Sequence, residues 1–293
     1  MSDQFDVIEA GERGRRRWIG LLVVLGLLAV PIIGLLASRE PGAVPKPTPT
    51  PNPVPSMVVT ISGASNVLHP KPVVTGPQAS MRVVFPDGRT AEVRYPADVG
   101  LEKLGLRPFR GVWVAGQYLE LVAPYEGEVE ISKGGMPIRK LTSNVTLWPH
   151  QPGFPSDGEV LLYTFGRWKM ALYDQPEGLE FDQRIAAAGD LRGRVASGGF
   201  LVLSGKGIVR MAAPGENARG DPVGPQLWFG GDGGDMLALI PTPDCRHKAR
   251  MPSVVDGQGR PARFVCRGDV QVAASGDSDF VQRAIAGVRI TLK

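Results

Sequence analysis

Met81-Arg82-Val83-Val84-Phe85 and Thr90-Ala91-Glu92-Val93-Arg94-Tyr95, separated by Pro86-Asp87-Gly88-Arg89, carry the fold class of this chain. Apolar residues recur at every second position on both sides of a tight turn. That period places alternate side chains on opposite faces of a strand, so the segment predicts an antiparallel hairpin with one face buried. Working outward, the same signature repeats. Strand-like runs are Val58–Ser62, Gly111–Val114, Tyr118–Val122, Glu128–Ser132, Val160–Phe165 and Lys169–Tyr173. They continue with Phe200–Ser204, Ile208–Met211, Gln226–Phe229, Met236–Ile240, Arg263–Cys266, Val270–Ala274 and Val288–Leu292. Gly, Pro, Asp and Asn punctuate these runs, which predicts a mainly β fold of sandwich or barrel type. Two short helices are expected, Asp182–Ala188 and Ser278–Ala286. The second has Asp277 or Ser278 to cap it and Gly287 to stop it.

The N-terminal part is organised differently. Trp18–Ser38 is uncharged, and Arg13, Arg15, Arg16 and Arg17 precede it. An apolar run of about 18 residues or more is long enough to cross a bilayer as a helix, and flanking arginines stay on the cytoplasmic side. A cleaved signal peptide fits less well: its apolar core is shorter, and a cut after Ala37 would put Leu35 where a small residue is wanted. Prolines 41, 45, 47, 49, 51, 53 and 55 then exclude helix and sheet and favour polyproline II. The expected organisation is a cytoplasmic leader (1–17), a transmembrane anchor (18–38) and a proline-rich spacer (39–56). A first β unit (57–150) and a second (157–293) follow, with the break in Trp148–Gly158, where proline and glycine interrupt the strand pattern. The N-terminus is expected in the cytoplasm and the C-terminal part outside the cell membrane.

Charge adds an exclusion. Beyond residue 56 the chain carries 27 Lys and Arg against 24 Asp and Glu, interspersed along the sequence. So mild and mixed a balance does not make a nucleic-acid surface. Cys245 and Cys266 are the only cysteines, both in the part expected to be exported, and a disulfide between them is expected.

Chemistry-bearing motifs are weak. Gly230-Gly231-Asp232-Gly233-Gly234-Asp235-Met236-Leu237-Ala238 fits one calcium-binding nonapeptide, but such repeats cage an ion between stacked copies. A single copy predicts a glycine-rich turn, with weak calcium binding by Asp232 and Asp235 the residual reading. His69, His150 and His247 show no zinc spacing. No nucleophile elbow or phosphate loop is present; Gly205-Lys206-Gly207 reads as the turn of a hairpin over Phe200–Met211. No cofactor is expected. Exposed aromatic platforms bind sugar rings, and Trp168 and Trp228 are the candidates for such a surface.

The order of anchor, spacer and β-rich outer part resembles the layout of bacterial wall-associated proteins, membrane-bound sortases among them. The likeness ends at layout. A sortase needs a Thr-Leu-x-Thr lead-in to its cysteine, whereas Ala262-Arg263-Phe264-Val265 precede Cys266. The expected function is a non-catalytic, membrane-anchored binding or assembly module. Its partner would be cell-wall glycan or another envelope protein. The rival expectation is an envelope polysaccharide hydrolase whose carboxylates, Glu126, Glu128 or Asp174 for instance, are brought together by the fold.

Overall fold

The computed structural model describes residues 66–293 apart from 134, 150–157, 176–177, 232 and 258. The leader, anchor, spacer and the run Val58–Ser62 lie outside the described residues. No helix among the described residues is long and apolar enough to cross a membrane. The chain is mainly β, with several sheets and a few short helices.

In chain order the strands begin with β1 (Val73–Thr75), β2 (Gln78–Val84), β3 (Thr90–Pro96), β4 (Leu106–Val114) and β5 (Gln117–Val122). Next come β6 (Arg139–Thr142), β7 (Val145–Trp148), β8 (Val160–Phe165), β9 (Trp168–Tyr173), β10 (Leu191–Val195), β11 (Leu201–Gly205) and β12 (Val209–Met211). The last are β13 (Asn217–Ala218), β14 (Asp221–Pro222), β15 (Gln226–Gly230), β16 (Met236–Pro241), β17 (Ala262–Arg267), β18 (Val270–Ser275) and β19 (Arg289–Leu292). The helices are α1 (Leu101–Leu104), α2 (Glu128–Ser132), α3 (Phe181–Asp190), α4 (Cys245–Lys248), α5 (Ser253–Asp256) and α6 (Ser278–Gly287).

The hairpin that announced the fold forms as β2 and β3, with Val84 opposite Thr90. Its turn is closed by the Gly88 amide on the Phe85 carbonyl, 2.8 Å, and by Asp87, which accepts from the Arg89 amide and side chain at 3.1 and 2.6 Å. β1, β2, β3 and β19 make one antiparallel sheet. Its buried residues Met81, Val83, Ala91 and Val93 join one core with Leu106, Val112, Leu119, Leu121, Leu227 and Phe229 of a larger sheet. The larger sheet has eleven strands among the described residues, ordered β17-β18-β16-β15-β4-β5-β9-β8-β7-β6, with β12 also pairing with β4. Strands from both expected halves, 57–150 and 157–293, therefore share one hydrogen-bonded sheet: β4 and β5 lie between β15 and β9, and β7 and β6 follow β8.

Local expectations fare unevenly. α6 begins where expected, because the Asp277 carboxylate accepts from the Asp279 amide at 2.9 Å. Cys245 and Cys266 are bonded, with Cα atoms 5.8 Å apart, tying α4 to β17. Two expectations are corrected. Glu128–Ser132 is helix α2, not a strand; Gly127 precedes it at φ 63° and redirects the chain. Phe200–Met211 is not a hairpin: β11 pairs with β10, and β12 pairs with β4.

Candidate binding cleft

The large sheet buries one face in the main core. Along β5, Leu119 and Leu121 point to that core, so by strand alternation Tyr118, Glu120 and Val122 take the other face. The same parity puts Arg107 and Phe109 of β4, Tyr173 of β9, and Gln226 and Trp228 of β15 beside them. Register confirms the neighbourhood: Glu120 lies opposite Gly111 on one side and Tyr173 on the other, and Phe109 opposite Val122 and Gln226. These residues floor a cleft of about 370 Å³. One wall contains Pro124 and Glu130 of α2. The other is built from Arg219, Asp221 and Pro222 together with Ser253 and Val254 of α5.

Two local features shape the floor. A Cβ on Gly111 would lie 2.7 Å from the Val223 carbonyl and 2.9 Å from the Tyr118 ring, so only glycine lets the 222–223 segment settle onto the sheet there. Trp228 is fixed by its neighbours. Its indole N–H donates to Gln226 Oε1 at 2.8 Å, Gln226 Nε2 donates to the Pro222 carbonyl at 2.5 Å, and its ring stacks on Phe109 at 4.6 Å between centroids. The Ser253 amide donates to Asp221 Oδ1 at 2.8 Å and joins the two parts of the second wall.

Glu120 is the anomaly. It stands on an interior strand of the sheet, yet its carboxylate has no hydrogen bond or ion pair among the described residues. The side chain is exposed to solvent at the cleft. Partial desolvation by the cleft raises its pKa above the ordinary glutamate value; Asp221 adds to the rise and Arg219 opposes it. Burial likewise raises the phenols of Tyr118 and Tyr173, which stay neutral.

The residues expected from sequence are dispersed. Trp168 is wholly buried on the core face, its indole N–H donating to the Gly199 carbonyl at 2.8 Å, so it offers no binding surface. Trp228, 7% exposed, does line the cleft. Asp232 lies outside the described residues. Asp235 Oδ1 accepts from the Asp277 amide at 2.8 Å and lies 3.8 Å from Arg260. Among the described residues no three His, Cys, Asp or Glu are grouped to hold a metal ion. The acids expected for hydrolysis also part company. Glu126 is exposed, Glu128 pairs with Lys169 at 3.1 Å, and Asp174 is fully buried against Arg184 at 2.9 Å. None of the three lines the cleft; Glu120, Glu130 and Asp221 do.

No family model matches the chain, and no curated protein or solved structure is significantly similar to it.

Proposed function

We propose that this protein is a membrane-tethered binding module and that the cleft around Glu120 is its ligand site. The carrying observation is an accessible, unpaired carboxylate on the floor of an aromatic-lined cleft. Ligand sites are characteristically concave and mostly apolar, with a few polar groups fixing orientation. The uncharged run 18–38 behind four arginines supports a membrane anchor, and the Cys245–Cys266 bond is compatible with an exported compartment. In this reading the ligand is displayed by cell-wall material or by another envelope protein. The full-length protein should be retained on cell-wall material. Glu120→Gln should weaken retention by about tenfold, the effect of losing one charge-assisted contact. Unchanged retention in that variant would remove the cleft from the function.

One observation favours a second reading, an envelope hydrolase. Glu120 shares the cleft with Asp221 and Glu130, and a pair of carboxyl groups facing one cleft is the equipment that glycosidic bond cleavage uses. Turnover of a wall polymer by the purified protein, abolished by Glu120→Gln, would decide for it.

A further inference from the structure

We propose that the cleft takes a small organic ammonium group, its apolar body against Trp228, Phe109 and Val254 and its nitrogen between Glu120 and Asp221. This rests on the cleft being the ligand site. The argument is one of unspent charge. Of the two guanidinium groups lining the cleft, Arg107 donates to the Ala123 carbonyl at 3.0 Å and lies over the Tyr125 ring at 5.0 Å. Arg219 lies at the exposed rim, 5.9 Å from the centre of the Tyr118 ring. Among the acids, Glu130 accepts from the Glu126 amide at 3.2 Å, and Asp221 commits one oxygen to Ser253. The second oxygen of Asp221 and both oxygens of Glu120 have no hydrogen-bond partner among the described residues. Three carboxylates against two guanidinium groups leave the cleft net negative, which disfavours an anion. A neutral ligand would leave the open oxygens of Glu120 and Asp221 unused. A cation satisfies Glu120 and also meets the negative faces of the aromatic rings. The volume suits a group of a few heavy atoms on a compact body.

The test uses the full-length protein and three probes of similar shape: 2-phenylethylammonium, neutral 2-phenylethanol and anionic 3-phenylpropionate. Binding is followed by calorimetry and Trp fluorescence. The ammonium probe should bind about tenfold or more tighter than the alcohol, and Glu120→Gln and Asp221→Asn should each erase most of that preference. Equal binding of amine and alcohol, with the fluorescence change intact, would overturn the charge assignment while leaving the cleft as a ligand site; preference for the carboxylate would do the same. Binding of none of the three would overturn both. Displacement of wall-retained protein by the amine would place the ammonium group on the wall, and binding without displacement would place it on a free small molecule. Both outcomes support the ammonium assignment.

Discussion

Asp174 and Glu120 are the same chemistry handled in opposite ways. Tyr173 is the cross-strand partner of Glu120, and Asp174 is the next residue along. Asp174 is fully buried, and its oxygens accept from Arg184, from the Gln175 amide at 2.8 Å and from the Leu179 amide at 3.0 Å. Arg184 also pairs with Glu159, so the carboxylate sits in a closed network that fixes the start of α3 against the end of β9. Glu120 has solvent access and no such partner. A buried charge is tolerated only when its lone pairs are used. An exposed carboxylate with open lone pairs on a cleft floor is instead free to take a ligand. Pairing state, not residue type, separates the structural acid from the candidate functional one.

The largest test of that contrast is Asp174→Ala. It leaves Arg184 and two backbone amides without their carboxylate, which should cost about 3–5 kcal/mol in urea denaturation. A cost under about 1 kcal/mol would mean that the network contributes little, and the two acids would no longer differ in kind. The walls of the cleft come next. Replacing Cys245 and Cys266 together by serine reopens a loop that includes α5, the source of Ser253 and Val254. For the 21-residue separation the loss should be about 3 kcal/mol. Native stability in the double variant would show that the wall stands without its staple.

A smaller effect tests the segment leading into Arg219 and Asp221. Glu216 accepts from both terminal nitrogens of Arg210, at 2.8 and 3.0 Å, and from the Ala213 amide at 2.8 Å. The Arg210 hydrogen bond is the main cause of a carboxyl pKa held down to about 2. A depressed folded-state pKa contributes stability above the unfolded value, near 4.5, and loses it as pH falls toward 2. Arg210 is more than half exposed, so solvent screening holds the contribution to about 1 kcal/mol. Glu216→Gln should therefore destabilise by that amount at neutral pH and by almost nothing at pH 2. An equal loss at both pH values would assign the effect to packing.

Features set by near neighbours were legible in the sequence. The turn Pro86–Arg89, the capped helix after Asp277 and the pairing of two lone cysteines each depend on a few adjacent residues or on elimination. Glu128–Ser132 was not legible, because Glu-Val-Glu-Ile-Ser over five residues fits either period, and the choice falls to Gly127 and to tertiary contacts. Pro108 hid the first half of β4, which carries Arg107 and Phe109 into the cleft. Trp168 and Trp228 look alike in sequence, but register sends one to the core face and leaves the other in the cleft. Glu120 is an ordinary polar position in Tyr118–Val122. Only the sheet order, which puts β5 between β4 and β9, reveals that a charge stands in the middle of the sheet.

The smallest expected effect runs against the usual sign and bears most directly on the contrast. The charged or titratable groups around Glu120 are Asp221 and Arg219 across the cleft, Glu130 on α2, Arg107 on β4, Tyr173 on β9 and Tyr118 on its own strand. Because its folded-state pKa is raised, the folded protein holds this proton more tightly than the unfolded chain does. Its contribution is fully present below the unfolded pKa and is lost as pH rises through the raised folded value. At neutral pH the ionised group therefore opposes folding, and Glu120→Gln, which keeps the shape and removes the charge, should raise Tm by on the order of 2 °C. The gain should fade as the wild type is acidified through the carboxylate range. Excess 2-phenylethylammonium should reproduce it in the wild type at neutral pH, since a ligand that binds only the folded state stabilises it, and should add little to the variant. A Tm lowered by several degrees in Glu120→Gln would mean that the carboxylate already has a structural partner, and the difference between Glu120 and Asp174 would vanish.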